Sequence, residues 1–410
     1  MRNACPKLSL MNTLYLLSSA VFTICVAGIL CTFVMYPLLL SITRLWRGHR
    51  PLVKANLPYS VSLVTIVRGS DESARRKAEN GLDVEVDSPN FEFIMFWDGA
   101  EDVEKIRSMM PRDPRLSILA SSSHEGKNAA INRAVEHSSG EILVFSDADA
   151  LLDREAVRLL LQPLADPAVG GVCGHLVVRK DAGVLSRPQY TYWQFDQILK
   201  TMESEIGSIT SNTGVLFAVR RELFRPIPLV VTDDLFACLN VVQQHKRFVY
   251  EPAALAFMAA SSKSPEHELR RRRRIVCRSL SGIWLSREML NPVRFGLFSV
   301  GLFLNKVLKR FLPVILMLLL LSSAVLAIRS FPMEVLLLIQ LTFYASIVPL
   351  RKLAEHFQWG IIPRRLIFLV FYFCIGMVGT WLGLMDFLKG RQVAKWETAE
   401  SADLGKGEHR

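Results

Sequence analysis

The chain has 410 residues, 50% of them hydrophobic, with a formal net charge of +11 and seven cysteines. Its length admits two ordinary domains, but the basic excess falls in short clusters beside apolar segments, above all at 270–274. That placement suits an anionic membrane leaflet better than a groove for DNA, so no nucleic-acid partner is expected. Cys25, Cys31 and Cys374 lie in apolar runs, and Cys173, Cys238 and Cys277 are scattered without Cys-x-x-Cys spacing. Neither structural zinc nor a disulfide scaffold is signalled.

Residues 11–42 carry no charge, which exceeds the roughly 20 residues a membrane span needs. Arg44, Arg47, Arg50 and Lys54 follow, and the positive-inside bias then puts the next segment in the cytoplasm. A cleaved signal peptide is the alternative, but the run is longer than an h-region and no small-x-small site ends it before the basic cluster. Residues 1–45 are therefore read as an anchor.

From 59 to 262 the composition is that of an α/β domain. Residues 61–67 read as a strand followed by a turn and helix start at 68–72, and 91–96 as a second strand ending on Trp97-Asp98-Gly99. The run 142–145, closed by Ser146-Asp147-Ala148-Asp149, is a third strand and 169–178 a fourth. Helical patterns at 102–109 and 154–161 imply βαβ units and a mainly parallel sheet. The segment 263–310 mixes arginines with apolar residues, as helices lying in a membrane surface do. Within 311–388, the runs 311–328, 333–350 and 366–384 read as spans of about 18 to 20 residues each. A charged tail fills 389–410, with the composition of a disordered segment. Three such spans would put the tail outside, whereas Lys389, Arg391 and Lys395 prefer the inside, so one apolar segment is expected to be re-entrant or interfacial.

The chemistry gathers at acidic positions that each end or follow an apolar strand: Asp98, the pair Asp147 and Asp149, and Asp233-Asp234 after a strand expected at 227–232. A lone Asp at a strand end is commonly a turn former or an N-cap. Recurrence within one domain points further, because ligands of open α/β sheets bind outside the carboxyl ends of strands. Asp147 and Asp149 are two residues apart. The usual way for both to reach one ligand is a turn holding a divalent cation whose other ligands are phosphate oxygens.

The order Asp98-Gly99, Gly126-Lys127, Asp147-Ala148-Asp149, Thr232-Asp233-Asp234, then an Arg-rich segment leading into membrane spans, resembles the family 2 glycosyltransferases. It is most similar to the membrane-embedded bacterial polysaccharide synthases, relatives of cellulose and hyaluronan synthases, over 59–395. The resemblance implies a GT-A-like, mainly parallel α/β domain in the cytoplasm, flanked by transmembrane helices. It assigns Asp98 to the uracil or ribose of a donor nucleotide, with Lys127 and Asp147 also near that nucleotide. It assigns Asp149 to Mg²⁺ or Mn²⁺ bridging the diphosphate, and Asp234 to the general base, with Asp233, on the acceptor or diphosphate side, replacing the family's Glu. In the frame of the family's Gln-x-x-Arg-Trp segment, Arg271 stands for Gln, Arg274 matches the Arg and Ile275 stands for Trp. Glu268, Arg271, Arg274 and Ile275 fit a Glu-x-x-Arg-x-x-Arg-Ile form of that segment, on the acceptor or diphosphate side. The resemblance also places Gly214 of Ser211-Asn212-Thr213-Gly214 on the acceptor side, core packing being the equal alternative. Trp193 would stack a sugar ring or pack in the core. At the first strand, relatives have a Pro followed by an Asn-Glu turn, where this chain has Ile66 and then Gly69-Ser70-Asp71-Glu72.

The implied function is an inverting, divalent-metal-dependent transfer from a nucleotide-sugar, expected to be a UDP-sugar, building a β-linked polysaccharide or oligosaccharide at the bacterial cytoplasmic membrane. The partners would be a donor, a glycan acceptor, the lipid bilayer and secretion or synthase subunits. A single transfer onto a lipid acceptor is the alternative reading, and a non-catalytic nucleotide- or polymer-binding protein is a third.

Overall fold

The computed structural model describes residues 6–48, 50–68, 71–100, 102–178, 186–258, 264–356 and 361–391. Gly69 and Ser70 of the first-strand turn, the boundary at 259–263 and most of the charged tail, Lys395 included, lie outside those residues.

The chain enters through one long helix, α1 (Pro6–Leu30) and α2 (Tyr36–Arg47), joined by a π-helical turn at Cys31–Met35. Pro37 explains the wider turn: it has no N–H to give, and its ring crowds the carbonyl four residues earlier, at Phe33 inside the π segment. Leu10–Trp46 forms 37 residues long and apolar enough to cross a membrane. A helix of that length exceeds a ~30 Å hydrocarbon core, and α2 packs on α7 (Ser186–Ile206) of the central domain. There Tyr36 Oη donates to Glu203 at 2.5 Å, and Arg44 pairs with Glu205 at 2.9 Å.

Among the described residues eight strands form one sheet, in the order β3 (Leu116–Ser121), β2 (Phe91–Asp98), β1 (Val61–Val67), β4 (Ile142–Ser146), β7 (Leu216–Arg220), β6 (Val169–Val178), β8 (Arg247–Met258) and β5 (Ala150–Leu152). β1 (Val61–Val67) is buried along its whole length, as a strand covered on both faces must be. It runs parallel to β2 (Phe91–Asp98) and β4 (Ile142–Ser146), and β2 runs parallel to β3 (Leu116–Ser121). Beyond β4 the directions mix. β7 (Leu216–Arg220) is antiparallel to both β4 and β6 (Val169–Val178), β8 (Arg247–Met258) is parallel to β6, and β5 (Ala150–Leu152) is antiparallel to β8. The α/β class holds, with a parallel half and a mixed half.

The period of two along each strand separates two apolar layers. Leu63, Phe93, Met95 and Trp97 face α3 (Asp71–Leu82) and α4 (Val103–Met109) together with α6 (Ala156–Leu161). Val64, Ile94, Phe96 and Phe145 face α5 (Lys127–Glu136) and α8 (Asp233–Gln243). Trp193 on α7 packs partly buried against the first layer.

After the sheet, α9 (Pro265–Leu285) starts with Pro265 in its first turn, Ser264 Oγ accepting from His267 N at 3.2 Å and Glu266 and Glu268 nearby, the pattern of a stable N-terminus. Two short turns, α10 (Pro292–Phe295) and α11 (Leu297–Gly301), lead into a π segment, Leu302–Leu308, and α12 (Leu312–Ala327). The chain bends there by 67° ahead of Pro313. α13 (Phe331–His356) and α14 (Ile361–Leu388) complete the described chain, and Val370–Leu388 is a further stretch able to cross a membrane.

Within 263–310, α9 is wedged between α8 and α14. Gly379 and Gly383 make the close approach to α14 feasible: a Cβ on Gly383 would stand 2.5 Å from the Arg273 carbonyl oxygen. Arg273 pairs with Asp386 at 2.9 Å, and the fully buried Glu268 accepts from Arg272 at 2.8 Å and from Tyr372 Oη at 3.1 Å.

Candidate active site

The carboxyl ends of β1, β2 and β4 converge with the N-termini of α5 and α8, and the sequence-marked residues meet there. β4 stops at Ser146. The chain turns at once, with Ala150 N donating to Asp147 O at 3.2 Å, and continues as β5. The turn carries both Asp147 and Asp149.

Lys127, the first residue of α5, joins the halves of the site. Its Nζ lies 2.7 Å from Asp147 Oδ1 and 2.8 Å from Asp233 Oδ2. Burial weakens the ammonium, but the two carboxylates outweigh it and hold the Lys127 pKa above the ordinary value. Asp233 mirrors this: burial pushes it up, and Lys127 pulls it below the usual carboxylate range. Asp234 moves the other way, raised by burial and by the charge of Asp233. Its Oδ1 accepts from Leu235 N at 2.7 Å.

Asp233 and Asp234 do not follow a strand. Residues 227–232 form a loop that delivers both carboxylates to the first turn of α8, where anions are favoured. The sequence expectation of a strand fails because the backbone of this loop bonds to side chains. Asn128 Nδ2 donates to Pro228 O at 2.7 Å and Val231 O at 2.9 Å, and Asn132 takes both polar groups of Ile227, at 3.0 and 2.8 Å. From the other side Arg278 donates to Val231 O at 3.0 Å and Leu229 O at 2.7 Å.

Gly214 sits under Asp234 with φ +73°, where a Cβ would lie 3.3 Å from Asp234 Cβ and 3.4 Å from Oδ2. Its absent side chain leaves Asp234 its place. Asp98 occupies the end of β2 with its side chain fully covered. Its oxygens accept from Glu125 N at 2.7 Å and Gly126 N at 3.0 Å, and Oδ2 lies 2.7 Å from His124 Nδ1. His124 Nε2 in turn lies 2.8 Å from Arg68 Nη1. Asp98 thus builds the loop ahead of Lys127, and His124 and Arg68 form the outward end of that chain.

The arginine run divides. Arg272 and Arg273 turn to Glu268, Tyr372 and Asp386, and Arg271 reaches Glu268 at 3.7 Å. Arg278, one turn beyond Arg274, reaches the loop below Asp233, and its guanidinium, weakened by burial, is upheld by the Asp233 and Asp234 charges. Spacing from the matched frame led to Arg274. The signal for Arg278 was its position at i+4 on the same helix face.

A second residue that sequence reasoning missed is Lys77 of α3, fully buried beneath the Asp147–Asp149 turn. Its Nζ donates to Ser146 Oγ and to Ala150 O, both at 2.6 Å. Burial pushes its pKa down to about 7, against the support of Asp147 and Asp149.

Asp149 opens to solvent, and the protein around it and the charge of Asp147 raise its carboxyl above the usual range. Among the described residues no three His, Cys, Asp or Glu side chains gather as a metal cage. One free carboxylate beside a second that is tied to a lysine fits a hard divalent ion carried in with phosphate oxygens, as Mg²⁺ is commonly held.

Sheet, strand-end carboxylates and helix N-termini together have the arrangement of a GT-A-like fold. Residues 72–227 match the family Glycosyl transferase family 2. The chain is similar to an N-acetylglucosaminyltransferase of Rhizobium meliloti (strain 1021), 25% identical over 169 residues, 38% of this chain and 40% of that protein. It is also similar to a poly-beta-1,6-N-acetyl-D-glucosamine synthase of Staphylococcus epidermidis, 23% identical over 177 residues, 42% of this chain and 43% of that protein. The matches thus span about two fifths of these relatives' length. Among solved structures, a mannosyltransferase from Pyrobaculum calidifontis in complex with GDP-Man and Mn²⁺ shares the fold, with a TM-score of 0.63 and 20% identity over 90% of this chain and 99% of that one. With at least two helices long and apolar enough to span a bilayer, the chain is membrane-associated.

Proposed function

We propose that this protein transfers a sugar, N-acetylglucosamine by analogy with its curated relatives, from a nucleotide donor to a glycan hydroxyl at the cytoplasmic face of the bacterial inner membrane. The product would be a β-linked polysaccharide or oligosaccharide. The observation that carries the reading is the division of labour around Lys127, which ties Asp147 to Asp233 and leaves Asp149 and Asp234 for chemistry.

Asp149, with phosphate oxygens, would hold Mg²⁺ or Mn²⁺, and that ion would supply charge neutralisation for the departing diphosphate. Asp234, with its raised pKa, takes the proton of the acceptor hydroxyl as it attacks the anomeric carbon. A single displacement from the face opposite the leaving group inverts that centre, so a UDP-α-sugar gives a β-linkage. Arg278, Asn128 and Asn132 keep the Asp233-Asp234 loop in place. His124 and Arg68 extend from Asp98 toward the donor's nucleotide end. Gly214 belongs to the acceptor side through its contact with Asp234. Arg271 and Arg274 lie on the helix that carries Arg278, on the acceptor or diphosphate side.

In the membrane, the pair Leu297–Leu308 and Leu312–Ala327, bent by 67°, acts as a re-entrant segment. With that segment re-entrant and both α13 and α14 crossing, the number of crossings between the catalytic domain and Lys389 and Arg391 is even, which keeps those basic residues inside.

The test is nucleoside diphosphate release by detergent-purified full-length protein against UDP- and GDP-sugars with Mg²⁺ or Mn²⁺. Release with one donor, abolished by EDTA and by Asp149→Ala, supports the reading, and sizing the product separates polymer from single transfer. Release that survives both treatments contradicts it.

A further inference from the structure

Lys77 is the most deeply enclosed charged side chain near the site, and none of the chemistry above uses it. It lies on α3, a helix whose other face is strongly charged, and it is fully buried. The acceptors it meets are neutral, the Ser146 hydroxyl and the Ala150 carbonyl, each at 2.6 Å. A lysine with neutral partners in a dry interior is a costly choice for packing alone, which Met or Leu would serve better. The two acceptors flank the turn that carries Asp147 and Asp149. One helical turn further along the same face, Asn80 Nδ2 donates to Leu152 O at 2.9 Å, and its Oδ1 accepts from Leu152 N at 2.8 Å. α3 therefore grips β4 at its last residue and β5 at both ends.

We infer that Lys77 is a positioning residue: from beneath the sheet it fixes the Ser146–Ala150 turn so that Asp149, with Asp147 beside it, is presented to a metal-bound diphosphate. The brace needs N–H donors, and a lysine side chain retains at least two in either protonation state. An Asp-x-Asp turn is short and solvent-facing, and without a tether its carboxylates would sample several orientations. Groups one step behind a metal ligand set its orientation in this way. The inference rests on the reading of Asp149 as the metal ligand.

The experiment is Mn²⁺ binding followed by electron paramagnetic resonance on the detergent-purified full chain with saturating UDP, at a temperature well below each variant's melting point. Lys77→Met should weaken Mn²⁺ binding by about 10- to 100-fold. Lys77→Gln, which keeps an N–H donor, should lose less. Ser146→Ala removes one anchor and should weaken binding on its own, and the Lys77→Met/Ser146→Ala double variant should bind no worse than Lys77→Met, because both act through one brace. Ser146→Ala makes only a small cut, so it carries the test even if Lys77→Met does not fold. Wild-type affinity in Ser146→Ala, or in a folded Lys77→Met with only its melting point lowered, overturns the proposal. Losses that multiply in the double variant do the same. A wild-type protein that binds no Mn²⁺ with UDP overturns the metal reading and this inference together, whereas unchanged variants of a binding wild type overturn this inference alone.

Discussion

Gly214 and Asp234 are in contact: a methyl group on Gly214 would stand 3.3 Å from Asp234 Cβ and 3.4 Å from its Oδ2. The left-handed backbone at Gly214 and the absence of its side chain together set where the proposed base can stand. Gly214→Ala carries a strain of about 1 kcal/mol for the left-handed conformation and displaces the carboxylate. We expect kcat to fall ~100-fold, the scale of a misplacement near 1 Å, with donor binding retained. Steady-state kinetics check this, and an unchanged kcat would separate Gly214 from the base.

Asp233 and Asp234 are adjacent and should respond to pH in opposite senses. Asp234 has a raised pKa, so its protonated form favours the fold. That contribution is present below the unfolded value of about 3.9 and is lost as pH rises through the higher folded value. Asp233 is lowered, so its contribution is present above the unfolded value and is lost as pH falls through the folded one. Thermal melts at neutral pH should therefore find Asp234→Asn no less stable than wild type and Asp233→Asn less stable. The acid limb of kcat/KM should lie above the ordinary Asp range. Equal melting shifts for the two variants would refute the assignment.

Removing Lys127 leaves Asp147 and Asp233 without their shared cation. Lys127→Met should destabilise the fold by about 1.5–3 kcal/mol, the range for a hydrogen bond to a charged group, and should abolish nucleoside diphosphate release. Chemical denaturation measures the first effect. A variant as stable as wild type would show that the bridge does not hold the two halves together.

Arg278→Met takes away the two bonds to Val231 O and Leu229 O. We expect kcat to fall at least ~10-fold through the loosened Asp233-Asp234 loop, while Arg271→Met, whose contact with Glu268 is 3.7 Å long, changes it by less than about threefold. Comparable losses in both variants would return the role to the arginine run as a whole.

Much of this arrangement is legible in the amino-acid order. Strands β1, β2, β4 and β6 announce themselves as apolar runs, because a doubly covered strand must be apolar on both faces. β5 is three residues long and β8 contains Pro252, so neither gives a clean period. The run 227–232 imitates a strand in its apolar residues, yet Asn128, Asn132 and Arg278 take the carbonyls a neighbouring strand would have used. The carboxylates at strand ends were readable because ligands collect there. Lys77 was not, since a buried lysine in a helix of charged residues looks like any solvated one.

The most direct test of the central claim is Asp234→Asn in the full-length membrane protein, assayed in parallel for sugar transfer and for Mn²⁺-dependent binding of the donor nucleotide. Transfer should be lost with nucleotide affinity kept within about threefold of wild type, since the base acts on the acceptor and not on the diphosphate. Retained turnover in that variant would remove Asp234 from the role of base and contradict the mechanism proposed for this site.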